Sequence, residues 1–193
     1  MSSKTPLPPD FAAMEALAPS SADQRTYILA LIGNLNFSWS NNESMFIYLL
    51  MALLETDLQA AAITFATLNT TRARLDLVRR LAKTKISDPK LLAAIERVIT
   101  RFNQCTKLRN ELNHCIYHIN DEGRFTHMTI LRISESKTGI KVGYDVQFDK
   151  RKINQIITTA AKLKDINREI WTLMPILEKA MGAKSATGTA SPA

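Results

Sequence analysis

Cysteine is scarce in this chain, and that scarcity excludes the small proteins that are held together by disulfide bonds. The 193 residues include only two cysteines, Cys105 and Cys115, and they form no CxxC pair. Two isolated cysteines favour a reducing compartment, and a chain without a CxxC pair lacks the commonest zinc-binding pattern. We therefore predict no disulfide, no metal site and no cofactor.

Long apolar runs are also missing. The longest is Met45–Leu54, ten residues, about half of the roughly 20 that a membrane-spanning helix needs. The N-terminal segment MSSKTPLPPDFAAMEALAPS has no long apolar stretch before its prolines, so it does not resemble a secretory signal. These absences predict a cytoplasmic protein without a membrane partner.

Acidic side chains are few in one part of the chain. Residues 70–110 contain eleven Lys and Arg against three Asp and Glu, whereas residues 1–69 carry a net negative charge. A basic face attracts polyanions, so RNA is a candidate partner, although such a face often only keeps a helix soluble. The candidate RNA-binding residues are Arg72, Arg79, Arg80 and Arg101.

Composition predicts one folded domain between two disordered ends. Residues 1–20 hold four of the seven prolines, and residues 182–193 (GAKSATGTASPA) are small and polar. We interpret them as an N-terminal arm and a C-terminal tail around a domain at 21–181.

Apolar side chains recur at helical spacing through most of that domain. A first helix starts near Ser21 or Asp23 and ends near Leu54, with a possible break at 38–42. Further helices are predicted at about 57–68, 71–85, 89–117 and 150–181. Pro175 is expected to kink or end the last of them.

The helical spacing of apolar side chains ends after the predicted helix at 89–117. Residues 125–134 and 140–148 are rich in β-branched and aromatic side chains, with Ser136–Gly139 as a turn between them. The expected fold is mainly α: an antiparallel helical bundle with a β-hairpin, at about 125–148, inserted before the last helix.

Four polar side chains share one arc of the long helix. On a helical wheel Arg109, Asn110, Asn113 and His114 are adjacent, and Arg109 occupies a position of the apolar stripe. A guanidinium there needs an anion beside it, and Glu43 is the expected internal partner. If the first helix is continuous, Asn36, Ser40 and Glu43 lie on one polar face of it.

Arginine and histidine together suit cleavage of RNA. Histidine moves protons near neutral pH, and arginine binds phosphate through a planar fork. The alternative is that these side chains only form hydrogen bonds with one another inside the bundle and have no catalytic role.

Residues 109–114 (RNELNH) resemble the signature of HEPN domains (higher eukaryotes and prokaryotes nucleotide-binding), an arginine followed after four to six residues by a histidine. The segment Trp39–Glu43 (WSNNE) and the basic segment Thr70–Lys83 are similar to the corresponding parts of bacterial HEPN-like proteins.

The resemblance implies a homodimeric helical bundle that acts as a metal-independent RNA endonuclease, in a toxin–antitoxin or defence system with a cognate antitoxin. It implies His114 as acid or base, Arg109 on the phosphate, and Asn110 as a positioning group. Asn113, Glu43 and Ser40 are expected to support them. Two alternatives stay open: a non-catalytic interaction or dimerisation protein of the same fold, and a nucleotide-binding helper.

Overall fold

A computed structural model describes residues 23–187, except 122, 137 and 138, and describes no side chain at 136 or beyond 182. The predicted arm at 1–20 lies outside the described residues, as does the end of the predicted tail. The elements are α1 (Gln24–Leu54), α2 (Leu58–Thr67), α3 (Thr71–Lys85), α4 (Pro89–Asn113), β1 (Cys115–Ile119), β2 (Phe125–Ser136), β3 (Gly139–Gln147) and α5 (Lys150–Thr187). The fold is mainly helical, with a small antiparallel sheet before the last helix, as predicted.

Side-chain caps set the starts of the first three helices. The Asp23 carboxylate accepts the N–H of Thr26 at 2.8 Å, and Asp57 accepts that of Ala60 at 2.8 Å. The Thr70 hydroxyl begins α3 in the same way. Such caps satisfy N–H groups that have no partner within the helix. The helix α1 continues through 38–42, so the possible break there was wrong.

The helix α4 ends earlier than the sequence predicted. The helix was expected to continue to about residue 117, but it ends at Asn113, and Cys115–Ile119 forms strand β1. Ile116 keeps helical spacing from Leu112 by coincidence. Its segment, CIYHI, is instead rich in residues that favour strands, and it pairs with β2 from Cys115 opposite Ile130 to Ile119 opposite Phe125. The sheet therefore has three strands, in the order β1-β2-β3.

Tyr117 connects the new strand to the end of α4. Its hydroxyl donates a hydrogen bond of 2.6 Å to the carbonyl of Leu112, one of the last carbonyls of the helix. Its ring contacts Phe125 and Phe148, with centroids 5.4 and 6.0 Å away. Burial in this cluster raises the pKa of the Tyr117 phenol, because the phenolate would lose its hydration.

Tyr117→Phe is expected to lower the free energy of unfolding by about 1–2 kcal/mol at pH 7, because the Leu112 carbonyl loses its 2.6 Å hydrogen bond and keeps only the weak donor of the Cys115 thiol at 3.5 Å. A phenol whose pKa is raised by folding stabilises the folded state below the unfolded pKa of about 10, and this contribution is lost as pH rises above it. The phenylalanine variant should therefore lose less stability between pH 8 and 10.5. Urea unfolding at both pH values measures this, with Tyr144→Phe as the exposed control. An equal loss in wild type and Tyr117→Phe would contradict the assignment.

The predicted hairpin is confirmed as β2 and β3. Its register shifts between Ile130 and Ile133, where two residues of β2 stand opposite Gly143 alone. Gly143 has φ +74°, and a Cβ there would lie 3.1 Å from Thr129 Cγ2. Glycine is required at this position on both counts, because L side chains rarely adopt a positive φ.

The described chain divides into two compact units. The first contains residues 40–103 and 164–187, and the second contains residues 23–39 and 104–163. Phe46 and Phe102 lie in the core of the first unit, with ring centroids 5.2 Å apart. The core of the second unit includes Leu108, Leu112 and Met128, all buried. The final turns of α4 therefore belong to the unit that holds the sheet.

The last helix is longer than predicted. Pro175 lies inside α5 and does not end it, and the helix continues to Thr187, into the segment interpreted as a tail. Among the described residues no single helix is long and apolar enough to cross a membrane. The helices α1 and α2 meet that test only as a pair, across a bend of 118°.

Candidate functional site

The predicted motif spans the end of α4. Arg109 and Asn110 lie in the last helical turn, and His114 is the first residue after the helix. The N–H of His114 donates to the carbonyl of Asn110 at 3.0 Å, which extends the helical hydrogen bonding by one residue. Asn110 and His114 are exposed, so both are accessible to a ligand.

Arg109 lies against an aromatic ring. Its guanidinium carbon is 4.0 Å from the centre of the Trp39 ring system, a cation–π distance. Trp39 is buried, and its indole N–H donates to the Thr106 hydroxyl at 2.9 Å. This hydrogen bond fixes the ring, and the ring in turn fixes the guanidinium.

The same guanidinium orients Asn110. Arg109 Nη1 donates to Asn110 Oδ1 at 3.1 Å. Because arginine only donates, the amide oxygen faces Arg109 and the amide NH2 remains available to bind another group. Arg109 Nε is buried, and no described residue accepts a hydrogen bond from it. Arg109 therefore holds Asn110 in one orientation.

Glu43 is not the partner of Arg109, so that prediction was wrong. Glu43 Oε2 lies 3.2 Å from Arg74 Nη1, and Glu43 Oε1 accepts a hydrogen bond of 2.6 Å from the Thr71 hydroxyl. Arg74 also donates to the carbonyls of Phe65 and Leu68. The Trp39 ring stabilises the Arg109 guanidinium on the apolar stripe through its π face. In this position Arg109 does not need a carboxylate partner.

Glu43→Gln is expected to lower the free energy of unfolding by about 2–3 kcal/mol. This is somewhat less than the loss of about 3–5 kcal/mol that follows when one partner of a fully buried ion pair is removed. The side chains of Glu43 and Arg74 are 14% and 23% exposed, so losing one charge leaves the other poorly solvated. In a double-mutant cycle measured by urea unfolding, Glu43→Gln should couple to Arg74→Met by more than about 1 kcal/mol. Coupling to Arg109→Met instead would restore the original prediction.

A groove opens beside Asn110 and His114. Its volume is about 480 Å³, and one wall is a single face of α4 while the other is formed by β2 and β3. The lining residues are Lys107, Asn110, Glu111, His114, Ile130, Leu131, Arg132 and Tyr144. The groove therefore brings the amide and imidazole of the motif together with two cations and an aromatic ring.

The described lining of the groove is positively charged, because Glu111, the one carboxylate among these residues, is already paired. Glu111 Oε2 lies 3.0 Å from Nζ of Lys152, which is buried and also donates to Gln155 Oε1. Lys107 and Arg132 are exposed, and within the described chain neither forms an ion pair. Two uncompensated cations thus flank the position of Asn110 and His114, an arrangement that attracts an anion.

The other predicted supporting residues do not join this groove. Asn113 is exposed at the last position of α4 and is absent from the lining. Ser40 is exposed on α1, and Glu43 is bound to Arg74. The structure therefore brings together two of the predicted site residues, Asn110 and His114, in the groove. Arg109 does not line the groove but donates a hydrogen bond to Asn110.

The four candidate RNA-binding arginines differ in whether a carboxylate of this chain already pairs with them. Arg79 lies 3.1 Å from Asp76, and Arg101 lies 2.5 Å from Glu169. Arg72 is 3.9 Å from Asp76 and largely exposed. Arg80 is exposed, without an ion pair in the described part of the chain. Arg79 and Arg101 already have carboxylate partners, which leaves less of their charge for a phosphate.

No protein-family model, curated protein or solved structure matches this chain. The HEPN assignment accordingly stays a prediction that depends on the motif and the order of elements.

Sequence reasoning missed Lys107, Arg132 and Tyr144. A signal for Lys107 was present, because residues 107, 110, 111 and 114 have the i, i+3, i+4, i+7 spacing of one helix face. Arg132 and Tyr144 reach the groove only through the strand pairing and the bulge opposite Gly143. No local pattern encodes that arrangement.

The other two histidines lie together on the sheet. The rings of His118 and His127 are stacked, with centroids 4.1 Å apart and planes 6° apart. His118 Nε2 is 2.9 Å from the Thr129 hydroxyl, which donates to Asp145. His118 is therefore a sheet residue and does not line the groove. Among the described residues no three His, Cys, Asp or Glu side chains are placed to hold a metal ion.

Proposed function

We propose that this protein is a HEPN-like RNA endonuclease that cleaves by attack of the 2′-OH on the adjacent phosphate. The observation that carries the proposal is the groove in which Asn110 and His114 lie with Lys107 and Arg132. It offers a proton-transfer group, a hydrogen-bond donor and two cations within one concave surface. Phosphodiester cleavage by an internal nucleophile uses these components together with a second proton-transfer group.

Each group has a definable role in that reaction. The 2′-oxygen forms a bond to phosphorus while the bond from phosphorus to the 5′-oxygen breaks. One imidazole accepts the 2′-OH proton and another acid donates a proton to the leaving oxygen. His114 takes one of these roles, and its counterpart in a second copy takes the other. The products are a 2′,3′-cyclic phosphate and a 5′-hydroxyl.

The cations and the amide would hold the phosphate. The resemblance assigns phosphate binding to Arg109, but Arg109 is not among the described residues that line the groove, and its Nη1 donates to Asn110. We therefore assign Arg109 as a positioning residue for Asn110, whose NH2 donates to a phosphate oxygen. Lys107 and Arg132 supply the charge, and the exposed ring of Tyr144 supplies a surface for base stacking.

The reaction requires ribose, so RNA and not DNA is the substrate. The test is incubation of the purified protein with matched RNA and DNA strands of one sequence in the presence of a metal chelator. Cleavage of RNA alone, with cyclic phosphate ends, is the expected result. Cleavage of both strands, or activity that depends on divalent metal, would overturn the proposal.

On the same proposal the protein is a cytoplasmic homodimer, with a cognate antitoxin as a further partner. The apolar stripe of α4 does not supply the dimer interface, because Ile95, Val98 and Phe102 are fully buried within the chain. A different surface of the chain would form the dimer interface.

A non-catalytic interaction protein of the same fold is the second candidate. The uncovered apolar side chains of the hairpin favour it, Ile133 and Ile140 foremost. An RNA-binding protein that shows no cleavage with any ribose substrate would support this candidate instead.

A further inference from the structure

A second cavity adjoins the groove on the hairpin. Its volume is about 560 Å³, a size typical of small-ligand sites, and the described residues that line it all belong to β2 and β3. Arg132 and Tyr144 line both this cavity and the groove that holds His114, so the two spaces are neighbours. The second space is called the hairpin cavity below. Both spaces lie within the same compact unit of the chain.

The bulge in the hairpin explains how one arginine comes to line both spaces. Leu131 and Arg132 together stand opposite Gly143, because the strand register shifts between Ile130 and Ile133. A bulge interrupts the regular alternation of side chains and redirects those beside it. Leu131 lines the groove, and Arg132 lines the groove and the hairpin cavity. The bulge therefore places Arg132 at their boundary.

The hairpin cavity combines the groups that bind a nucleotide. Arg132 and Lys141 are exposed cations, and Ser134, which is paired directly opposite Lys141, adds a hydroxyl. Tyr144 is 43% exposed, so part of its ring can stack on a base. Cations bind phosphate, and an aromatic ring binds the face of a base.

The described lining of the hairpin cavity has a net positive charge. Glu135 is the one acidic side chain among these residues, against the two cations Arg132 and Lys141. An anion that enters is attracted to the cations and repelled by Glu135. Neutralising Glu135 should consequently strengthen the binding of an anion, whereas neutralising Lys141 should weaken it.

We propose that the hairpin cavity binds the nucleotide next to the cleaved bond, so that two consecutive phosphates of one RNA strand occupy the groove and the hairpin cavity. The scissile phosphate lies beside Asn110 and His114, and the adjoining phosphate lies beside Lys141. Arg132 lies between the two phosphates, and the base of the adjoining nucleotide stacks on Tyr144. The identity of the first phosphate rests on the RNA cleavage proposed above. The β-hairpin thereby becomes part of the substrate-binding surface.

A strand fits this arrangement better than a free mononucleotide does. A mononucleotide offers the same phosphate and base, but it fills only one of the two spaces. The two lining residues that the spaces share, Arg132 and Tyr144, make the bound surface continuous from one to the other.

Binding of short oligonucleotides measures the second phosphate directly. Oligonucleotides with 2′-O-methyl riboses have no free 2′-OH, so the proposed mechanism leaves them intact. The affinity should rise about tenfold from a dinucleotide, with one phosphodiester group, to a trinucleotide, with two. NMR titration of the full chain gives each dissociation constant.

Substitutions in the hairpin cavity should change this tenfold step in opposite directions. Lys141→Gln should remove most of the step and lower the salt slope for the trinucleotide by about 0.7. Tyr144→Ala should also reduce the step, whereas Tyr144→Phe, which keeps the ring, should preserve it. Glu135→Gln should enlarge the step. Lys162→Gln, at an exposed position of α5, is the matched control and should bind as wild type does.

Photochemical cross-linking locates the nucleotide in the wild-type chain, where no substitution can disturb folding. Two 2′-O-methyl trinucleotides are used, with thiouridine at one end or at the other. At least one of them should cross-link to β2 or β3. Cross-linking of both only to α3, where Arg72, Arg79 and Arg80 lie, would contradict the proposal.

These measurements separate the hairpin cavity from the proposed activity. If the step is present and Lys141→Gln removes it, but no RNA is cleaved, the RNA endonuclease proposal fails and the nucleotide site stands. If RNA is cleaved but the step is absent, or is unchanged in both Lys141→Gln and Tyr144→Ala, the hairpin cavity does not bind the second nucleotide. A free mononucleotide that binds as tightly as the trinucleotide would also overturn the proposal.

Discussion

Replacing His114 with alanine is expected to lower the rate of RNA cleavage by about 10²–10⁴-fold, the usual contribution of a general acid or base. His114 is exposed, lines the groove and follows the last turn of α4, so its loss removes no core contact. RNA affinity and the unfolding midpoint should consequently change little. Single-turnover cleavage, filter binding and urea unfolding measure the three quantities on one preparation.

The matched control is His127→Ala, which removes an imidazole from the sheet outside the groove. Its cleavage rate should remain near that of wild type. If His114→Ala cleaves at the wild-type rate, His114 has no role in proton transfer. If both variants lose activity equally, the effect is structural and not catalytic.

The double variant Lys107→Gln/Arg132→Gln should bind RNA about 10–100-fold more weakly. Each cation neutralises a phosphate and releases a counterion, so each contributes about 0.7 to the slope of log affinity against log salt for a single strand. Removing both should flatten that slope by about 1.4. Binding titrations at four or more salt concentrations measure the slope directly.

Arg79→Gln and Arg101→Gln are the controls, because both arginines are already bound to carboxylates of this chain. Their substitution should change the slope much less. The reverse order, with a large effect at Arg79 and Arg101 and none at Lys107 and Arg132, would place the RNA on the other unit and contradict the assigned groove.

The helices were predictable because their signals are local. Capping side chains at Asp23, Asp57 and Thr70 mark starts, and apolar residues at helical spacing mark the lengths. The end of α4 was not predictable in this way. Leu112 and Ile116 keep helical spacing, whereas the strand Cys115–Ile119 forms because β2, whose paired residues lie 6 to 15 positions further along the chain, offers it a partner.

The site was half predictable for the same reason. The motif residues are local in sequence, so their nearness to one another followed from the helix alone. The partner of Arg109 depended on tertiary packing: complementarity of charge favoured Glu43, yet the guanidinium lies on the Trp39 ring and Glu43 binds Arg74. The far wall of the groove, with Arg132 and Tyr144, depends on strand register and was beyond any local pattern.

The most direct test of the central claim is cleavage of an RNA oligonucleotide in which one ribose, immediately 5′ of a cleaved bond, lacks its 2′-OH. The assay is run in chelator, and the products are resolved to single nucleotides. Attack by the 2′-oxygen predicts that this bond alone becomes resistant, while neighbouring bonds are still cut to 2′,3′-cyclic phosphate ends. Undiminished cleavage at the deoxyribose position would contradict the account.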